Sequence, residues 1–326
     1  MTHPQFDTIR RAVTFAAALA ALALHAACAA EPPERPFNPP VGSRWIIETE
    51  TSTDEARAEG GTRNSLLKSR AEMTIDAKAA DGFRITYVHR GTTAEGNDPT
   101  LPLVRSAAKA LDDVLIKIAT DVHGKPVRVD NLDEAKAAVR KMAGSLTEPY
   151  KDKPQLVAVL NQVMAGFVEV DADKAATSYV EDLPQLAKVQ VTGMKRGEVR
   201  RSTDAVDSPL GGGAMKSNSS LELTEADAAS GKRTYVYTAS YDAASLKEFT
   251  QSLMKKLMAA AGNSATPQQI DDIVKQMVLS LDERAVFEVE DGMTRRITDK
   301  TVTTARALNR SMQKTEVRTI TVMPAP

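Results

Sequence analysis

The sequence predicts an α+β fold: an antiparallel β-sheet with amphipathic helices. Three observations predict it. Short β-hairpins with alternating apolar residues dominate the chain. The helical stripes come in blocks between them, with no regular βαβ alternation. One hairpin, Glu72 to Val88 (EMTIDAKAADGFRITYV), returns about 150 residues later as ELTEADAASGKRTYV from Glu222 to Val236, which predicts an internal duplication.

The N-terminus carries an address. Arg10 and Arg11 precede an uncharged run from Ala12 to Leu24 and the small residues Ala26, Ala27, Cys28, Ala29 and Ala30, so residues 1–30 read as a secretory signal peptide. The run is shorter than the roughly 20 apolar residues that span a bilayer. Two processing routes stay open. Cleavage after Ala29 or Ala30 yields a periplasmic or secreted chain, whereas retention of Cys28 as a lipidated first residue yields a membrane-anchored lipoprotein. His25 stands where lipoprotein signals carry leucine, which favours the first. Residues 31–40, EPPERPFNPP, are a proline-rich leader unable to hold a helix or central strand, and read as a tether or a disordered segment.

The mature chain divides into a first hairpin and helix repeat, 41–182, and a second, 183–326. In the first, VGSRWIIETET (Val41 to Thr51) alternates and is rich in β-formers, and Asp81 and Gly82 turn the hairpin. A helix carrying Leu103, Val104, Ala107, Leu111 and Val114 follows, then a hairpin turning at His123 and Gly124. Asn131 is placed to cap the next helix, with Glu134 completing a capping box ahead of the stripe Leu132, Ala135, Val139, Met142 and Leu146. A further helix starts at Pro154 with Leu156, Val159, Leu160, Val163 and Phe167 as its apolar face. In the second repeat, Gly193 stands in the place of Gly42 and the run Gly211 to Gly213 in the place of the earlier glycine loop. Asp242 caps a helix carrying Leu246, Phe249, Leu253 and Leu257, and a second helix starts at Thr266, Pro267 and Gln269 with the stripe Ile270, Ile273, Val274, Met277, Val278 and Leu281. A hairpin at Asp291 and Gly292 and the closing strand Val317 to Val322 complete the chain.

Composition removes whole classes of function. With 42 Lys and Arg against 43 Asp and Glu, the net charge of −1 draws the chain neither to nucleic acid nor to anionic lipid. Contact with a membrane is expected only through the signal peptide or a lipid on Cys28. Cys28 is the only cysteine, so no intrachain disulfide exists and stability rests on a packed core.

Catalytic patterns are weak throughout. Beyond the export signal only His89 and His123 are present, and Asp121 with His123 makes too few ligands for a closed metal site. Serine followed by lysine three residues later occurs four times, Ser65 with Lys68 among them, without the companion motifs of the serine enzymes that use it. The nucleophile elbow, the P-loop and the dinucleotide glycine fingerprint are missing. The expectation is a non-enzymatic protein with no metal and no cofactor. The residues that stand out are apolar. Phe249, Met254, Met258 and Met277 fall on the helices of the second repeat, where flexible methionines accommodate ligands of variable shape, and Trp45 on the first strand offers a stacking surface.

The signal peptide, the VGSRW strand, the hairpins and the interleaved amphipathic helices together resemble secreted bacterial envelope proteins of the LolA/LolB-like lipoprotein-carrier superfamily, and in particular its internally duplicated relatives. The resemblance implies a half-barrel whose inner face is covered by helices and a cavity for an acyl chain or other amphiphile. The expected function is a periplasmic binding module for a hydrophobic or amphiphilic ligand. The alternative is an envelope structural or protein-interaction protein without a ligand.

Overall fold

The first strand of the chain is paired by the last. β1 (Arg44–Arg57) runs antiparallel to β11 (Arg310–Pro324), with Trp45 opposite Pro324 and Arg57 opposite Met312. From this centre the chain meanders outward through β2 (Gly61–Ala79), β3 (Gly82–Gly96), β4 (Leu115–Thr120) and β5 (Pro126–Val129). It crosses to the opposite edge through helices, then meanders back through β6 (Val199–Asp207), β7 (Ala214–Ala226), β8 (Arg233–Tyr241), β9 (Val278–Glu290) and β10 (Met293–Ala307). The result is one open antiparallel sheet of 11 strands in the order β5-β4-β3-β2-β1-β11-β10-β9-β8-β7-β6. The computed structural model describes residues 34–326 except 59–60, 103, 106–111, 181, 191, 208–213, 228, 261–267, 269, 271, 273, 275 and 308–309. The signal peptide with Cys28, the Gly211–Gly213 run and most of the expected helix at Leu103–Val114 therefore lie outside the described residues.

The fold is β-dominated, and the helices are insertions on one face of a single sheet. Both stretches of the chain, before and after residue 183, contribute to that sheet, joined through β1 and β11. The connecting block holds α1 (Leu132–Thr147), a 3₁₀ turn (Glu148–Tyr150), α2 (Pro154–Val168), α3 (Ala172–Tyr179) and α4 (Asp182–Leu186). α5 (Ala243–Ala260) follows β8.

Alternation decides the two faces. Trp45, Ile47, Ala71, Met73, Ile75, Phe83, Ile85, Phe287, Ile297 and Ile320 are buried and lie on the face that the helices cover, the inner face. Ala175 and Ala176 of α3 and Leu183 and Leu186 of α4 join the same core. α1 buries the expected stripe Ala135, Val139, Met142 and Leu146. Asn131, however, does not cap it: its Oδ1 accepts from the Lys117 amide at 2.8 Å while its Nδ2 donates to the Leu115 carbonyl, also at 2.8 Å. The side chain is spent tying the helix to β4, a tertiary contact that capping statistics do not register. Asp171 and Asp242 do cap, accepting from the amides of Lys174 at 3.0 Å and Ser245 at 2.8 Å.

The leader contains a strap. Glu34 accepts hydrogen bonds from the Thr192 and Gly193 amides at 3.0 and 2.6 Å and from the Tyr235 hydroxyl at 2.9 Å. Arg35 pairs with Asp291, Phe37 packs edge-on against Phe83, and Lys78 donates to Asn38 at 2.6 Å. The strap lies so tightly over Gly292 (φ 73°) that a Cβ there would come within 2.3 Å of the Pro36 carbonyl oxygen. Residues 34–40 are thus neither tether nor disordered leader: proline fixes their extended path, and Glu34 and Phe37 supply the anchors.

The two three-stranded meanders, β1–β3 and β6–β8, share a detailed geometry. Gly42 and Gly197 both take positive φ, 82° and 79°, and donate to the carbonyls of Ile75 and Leu223, each at 2.7 Å. Each hairpin carries a register shift just beyond that residue, between Ile75 and Ala77 and between Leu223 and Glu225. In this local geometry Gly197, rather than Gly193, occupies the position that Gly42 has in the first meander. The sequence match has an offset that falls from 150 (Glu72 to Glu222) to 148 (Val88 to Val236). The structural offset instead rises from 148 (Ile75 to Leu223) to 150 (Ile85 to Tyr235), because the loop between β7 and β8, where Ala226 pairs with Arg233, is longer than that between β2 and β3, where Ala79 pairs with Gly82. The structural correspondence is therefore not that of the sequence match.

Candidate functional site

The inner face changes character half-way along its strands. At one end it is apolar and filled. Leu183 and Leu186 enter a cleft lined by Phe37, Met73, Ile85 and Met293 and leave only about 20 Å³ of it open, and the Leu186 carbonyl accepts from Thr294 Oγ1 at 2.7 Å. Towards the other end the inner positions of the central strands become Thr51, Thr53, Thr301 and Thr303, all half-buried. Helical elements stand to either side of this floor. The segment after β3 reaches Ala94, whose carbonyl accepts from Arg105 Nε at 2.8 Å. α5 packs against β7 and β9 and meets α2, a helix with no charged side chain over its 15 residues.

A charged cluster marks the boundary. Anchored by its two leucines, α4 suspends Asp182 over the sheet, where its Oδ1 accepts from Arg318 Nη2 at 2.5 Å and its Oδ2 from the Tyr87 hydroxyl at 3.2 Å. Two residues past α4, Lys188 places Nζ 3.5 Å from Glu283 Oε1 and 3.4 Å from the centre of the Tyr237 ring. Asp299 sits opposite Arg318 and Ala285 in the ladder, one inner position from Glu283, which faces Thr301. Lys314 and Glu316 form a 2.8 Å pair on β11 at the threonine side.

These charges shift one another. Burial, reinforced by the Glu283 carboxylate, pushes the Asp299 carboxyl up to about 6. Burial and then Glu283 push the Tyr237 hydroxyl up to about 12, and burial, Glu283 and Asp299 raise Tyr241. Asp299 Oδ1 and Thr49 Oγ1 are buried without hydrogen-bond partners.

The apolar residues singled out in the sequence divide between the filled end of the face, α5 and the link into β9. Trp45 is a core residue, 9% exposed, with Nε1 donating to Ser43 Oγ at 3.1 Å and the Arg295 guanidinium 4.5 Å from the centre of its ring. Phe249 and Met254 are half-buried on α5; the Met258 side chain lies outside what is described. Met277 is not helical: it occupies the link into β9, its amide bonded to the Val274 carbonyl at 3.1 Å. His123 lines the apolar cleft beside Phe37, and His89 Nδ1 lies 3.3 Å from Asp112. Ser65 and Lys68 are on β2 three positions apart, hence on opposite faces, and form no dyad. Among the described residues no group of His, Cys, Asp and Glu is placed to hold a metal ion.

The cluster itself went unread, although a signal existed. Asp299 lies two positions from buried Ile297, Glu283 two from Ala285, and Arg318 two from Ile320. Three neighbouring strands thus each continue an inward apolar run with a charge.

No family model and no curated protein matches the chain, so neither comparison supports the likeness to lipoprotein carriers. Among solved structures the chain is similar to lipovitellin, at 7% identity and a TM-score of 0.40 over 88% of this chain and 26% of that one. It spans about a quarter of lipovitellin's length. It is also similar to OpdL and OccK5 of Pseudomonas aeruginosa, at 6% and 7% identity and TM-scores of 0.24 and 0.25, over 87% and 88% of this chain and 99% of each of those. No helix among the described residues is long and apolar enough to cross a membrane.

Proposed function

We propose that this chain is a non-enzymatic binding module, exported to the periplasm, for a hydrophobic or amphiphilic ligand held in the threonine-floored half of the inner face. One observation carries the reading: the same face that is filled with apolar side chains at one end is left half-buried at the other, between α5 and the segment after β3, with buried charges at the join. A face built only for stability would continue its apolar run under the helices. The uncharged α2 and the half-buried Phe249 and Met254 of α5 offer apolar contact above a hydrogen-bonding floor, the division of labour that an amphiphile uses. The shared glycine and bulge geometry of the two meanders supports reading them as copies of one ancestral unit. The test is native mass spectrometry of protein purified from its own envelope. Lipid-sized adducts lost on delipidation are expected; a bare mass under conditions that preserve adducts on a known carrier would overturn the proposal. The second reading, an envelope interaction protein, is favoured by the edge strand β6, whose residues Val199 to Ala205 are exposed.

A further inference from the structure

We infer that the boundary cluster is the seat of a cationic head group, an ammonium-bearing amphiphile whose charge is met by Asp299; this rests on the binding module proposed above. The site already displays how it receives such a group. The Lys188 ammonium is held between the Glu283 carboxylate and the face of Tyr237, the combination of counter-charge and aromatic face that suits a desolvated cation. The Asp182 carboxylate is taken by Arg318 and Tyr87, and Glu316 by Lys314. Among the described residues of the cluster, the four carboxyl groups Asp182, Glu283, Asp299 and Glu316 thus face three cations, Lys188, Arg318 and Lys314. Asp299 is the one without an ion pair of its own among the described residues, and its Oδ1 has no hydrogen-bond donor.

Two further buried atoms on the same face lack a hydrogen-bond partner, Thr49 Oγ1 and the Nε of Arg318, whose Nη2 is held by Asp182. Thr49, 8% exposed, is paired with Ile320 on β11, one inner position nearer the filled end than Arg318, and its Oγ1 has no partner. Buried acceptors are ordinarily paired, because each loses its water without compensation. An ammonium carries a donor for Asp299 Oδ1 and one positive charge for the uncompensated carboxylate. Tyr241, within electrostatic reach of both Asp299 and Glu283, adds a second aromatic ring on β8. A carboxylate or phosphate head would instead meet Asp299, Glu283 and Glu316 with like charge.

Binding of decylamine, decanol and decanoate to delipidated protein at pH 7.5, with butylamine as a tail-free amine, separates this inference from the reading beneath it. Isothermal titration calorimetry below the micellar limit is the measurement. The amine is expected to bind about tenfold tighter than the alcohol, the scale of one desolvated charge pair. The Asp299→Asn variant, nearly isosteric and removing no hydrogen bond from Oδ1, is expected to bring the amine to the level of the alcohol, and Asp299→Glu to keep part of the preference. Equal binding of the three C10 ligands, or an unchanged preference in Asp299→Asn, overturns the head-group assignment and leaves the binding module standing. Butylamine binding as tightly as decylamine means a small-amine site and removes the amphiphile. If none of the four binds, both inferences fall.

Discussion

The filled end and the threonine end of the inner face are built on the same strands, yet they answer to different demands. At the filled end Phe287, Tyr235, Ile47 and Ile75 are at most 1% exposed, and the strap and α4 close over them. A few residues further along the same ladders stand Thr51, Thr53, Thr301 and Thr303, half-buried. The hydrogen-bonded registers run through both ends without interruption from Trp45 to Arg57. Backbone pairing alone therefore does not explain the difference. Stability is concentrated where side chains interlock, and the ladder beyond that point is held as a platform.

The sharpest way to break this contrast is truncation at each end. Phe287→Ala is expected to cost about 3–5 kcal/mol, whereas Thr303→Ala stays within about 0.5 kcal/mol; urea unfolding gives both. Equal costs would show that the threonine half is core. The next largest effect tests the join. Arg318→Met strands Asp182 and is expected to cost about 3 kcal/mol, most of it recovered when Asp182→Asn is added, since the penalty is that of a buried unpaired charge. Glu34→Gln keeps the shape of the strap but removes its charge, and is expected to cost about 1–2 kcal/mol, with faster proteolysis before Pro40.

The smallest effect carries the most specific signature. The Asp299 carboxyl is raised from 3.8 to about 6 in the folded chain by burial and Glu283, with Glu316 acting in the same sense and Lys188 and Arg318 opposing. The folded state thus binds a proton that the unfolded state has already released. Stability from this group is fully present below about pH 4 and is lost as pH rises through about 6. Asp299→Asn is therefore expected to raise Tm by about 2 °C at pH 7.5, a small shift because solvent screens a half-buried group, and to leave it unchanged at pH 4. A loss of stability at pH 7.5 would mean that the carboxylate is a structural partner rather than an uncompensated charge.

Most of the elements could be read from the sequence because period and turn chemistry are local. The stripe of α1, the hairpin turns at Gly82 and Gly292 and the cap at Asp242 depend on residues within a few positions. What could not be read depends on distant partners. Asn131 looked like a cap until β4 claimed its side chain, Met277 lost its helix to the link into β9, and the leader became a strap because Thr192, Gly193 and Tyr235 wait for Glu34. The Asp182–Arg318 pair joins residues 136 positions apart, beyond the reach of any spacing rule.

The pairing of β1 with β11 also sets a clock. The central seam of the sheet joins Trp45 to Pro324, so no folding intermediate can complete its middle until almost the whole chain is present. Loop closure over such a distance adds only modest entropy, because the cost grows with the logarithm of length, but long-range pairings of this kind slow folding. Until the last strand arrives, β1 exposes one unpaired edge. Loss of β11 would remove the seam that joins the two meanders.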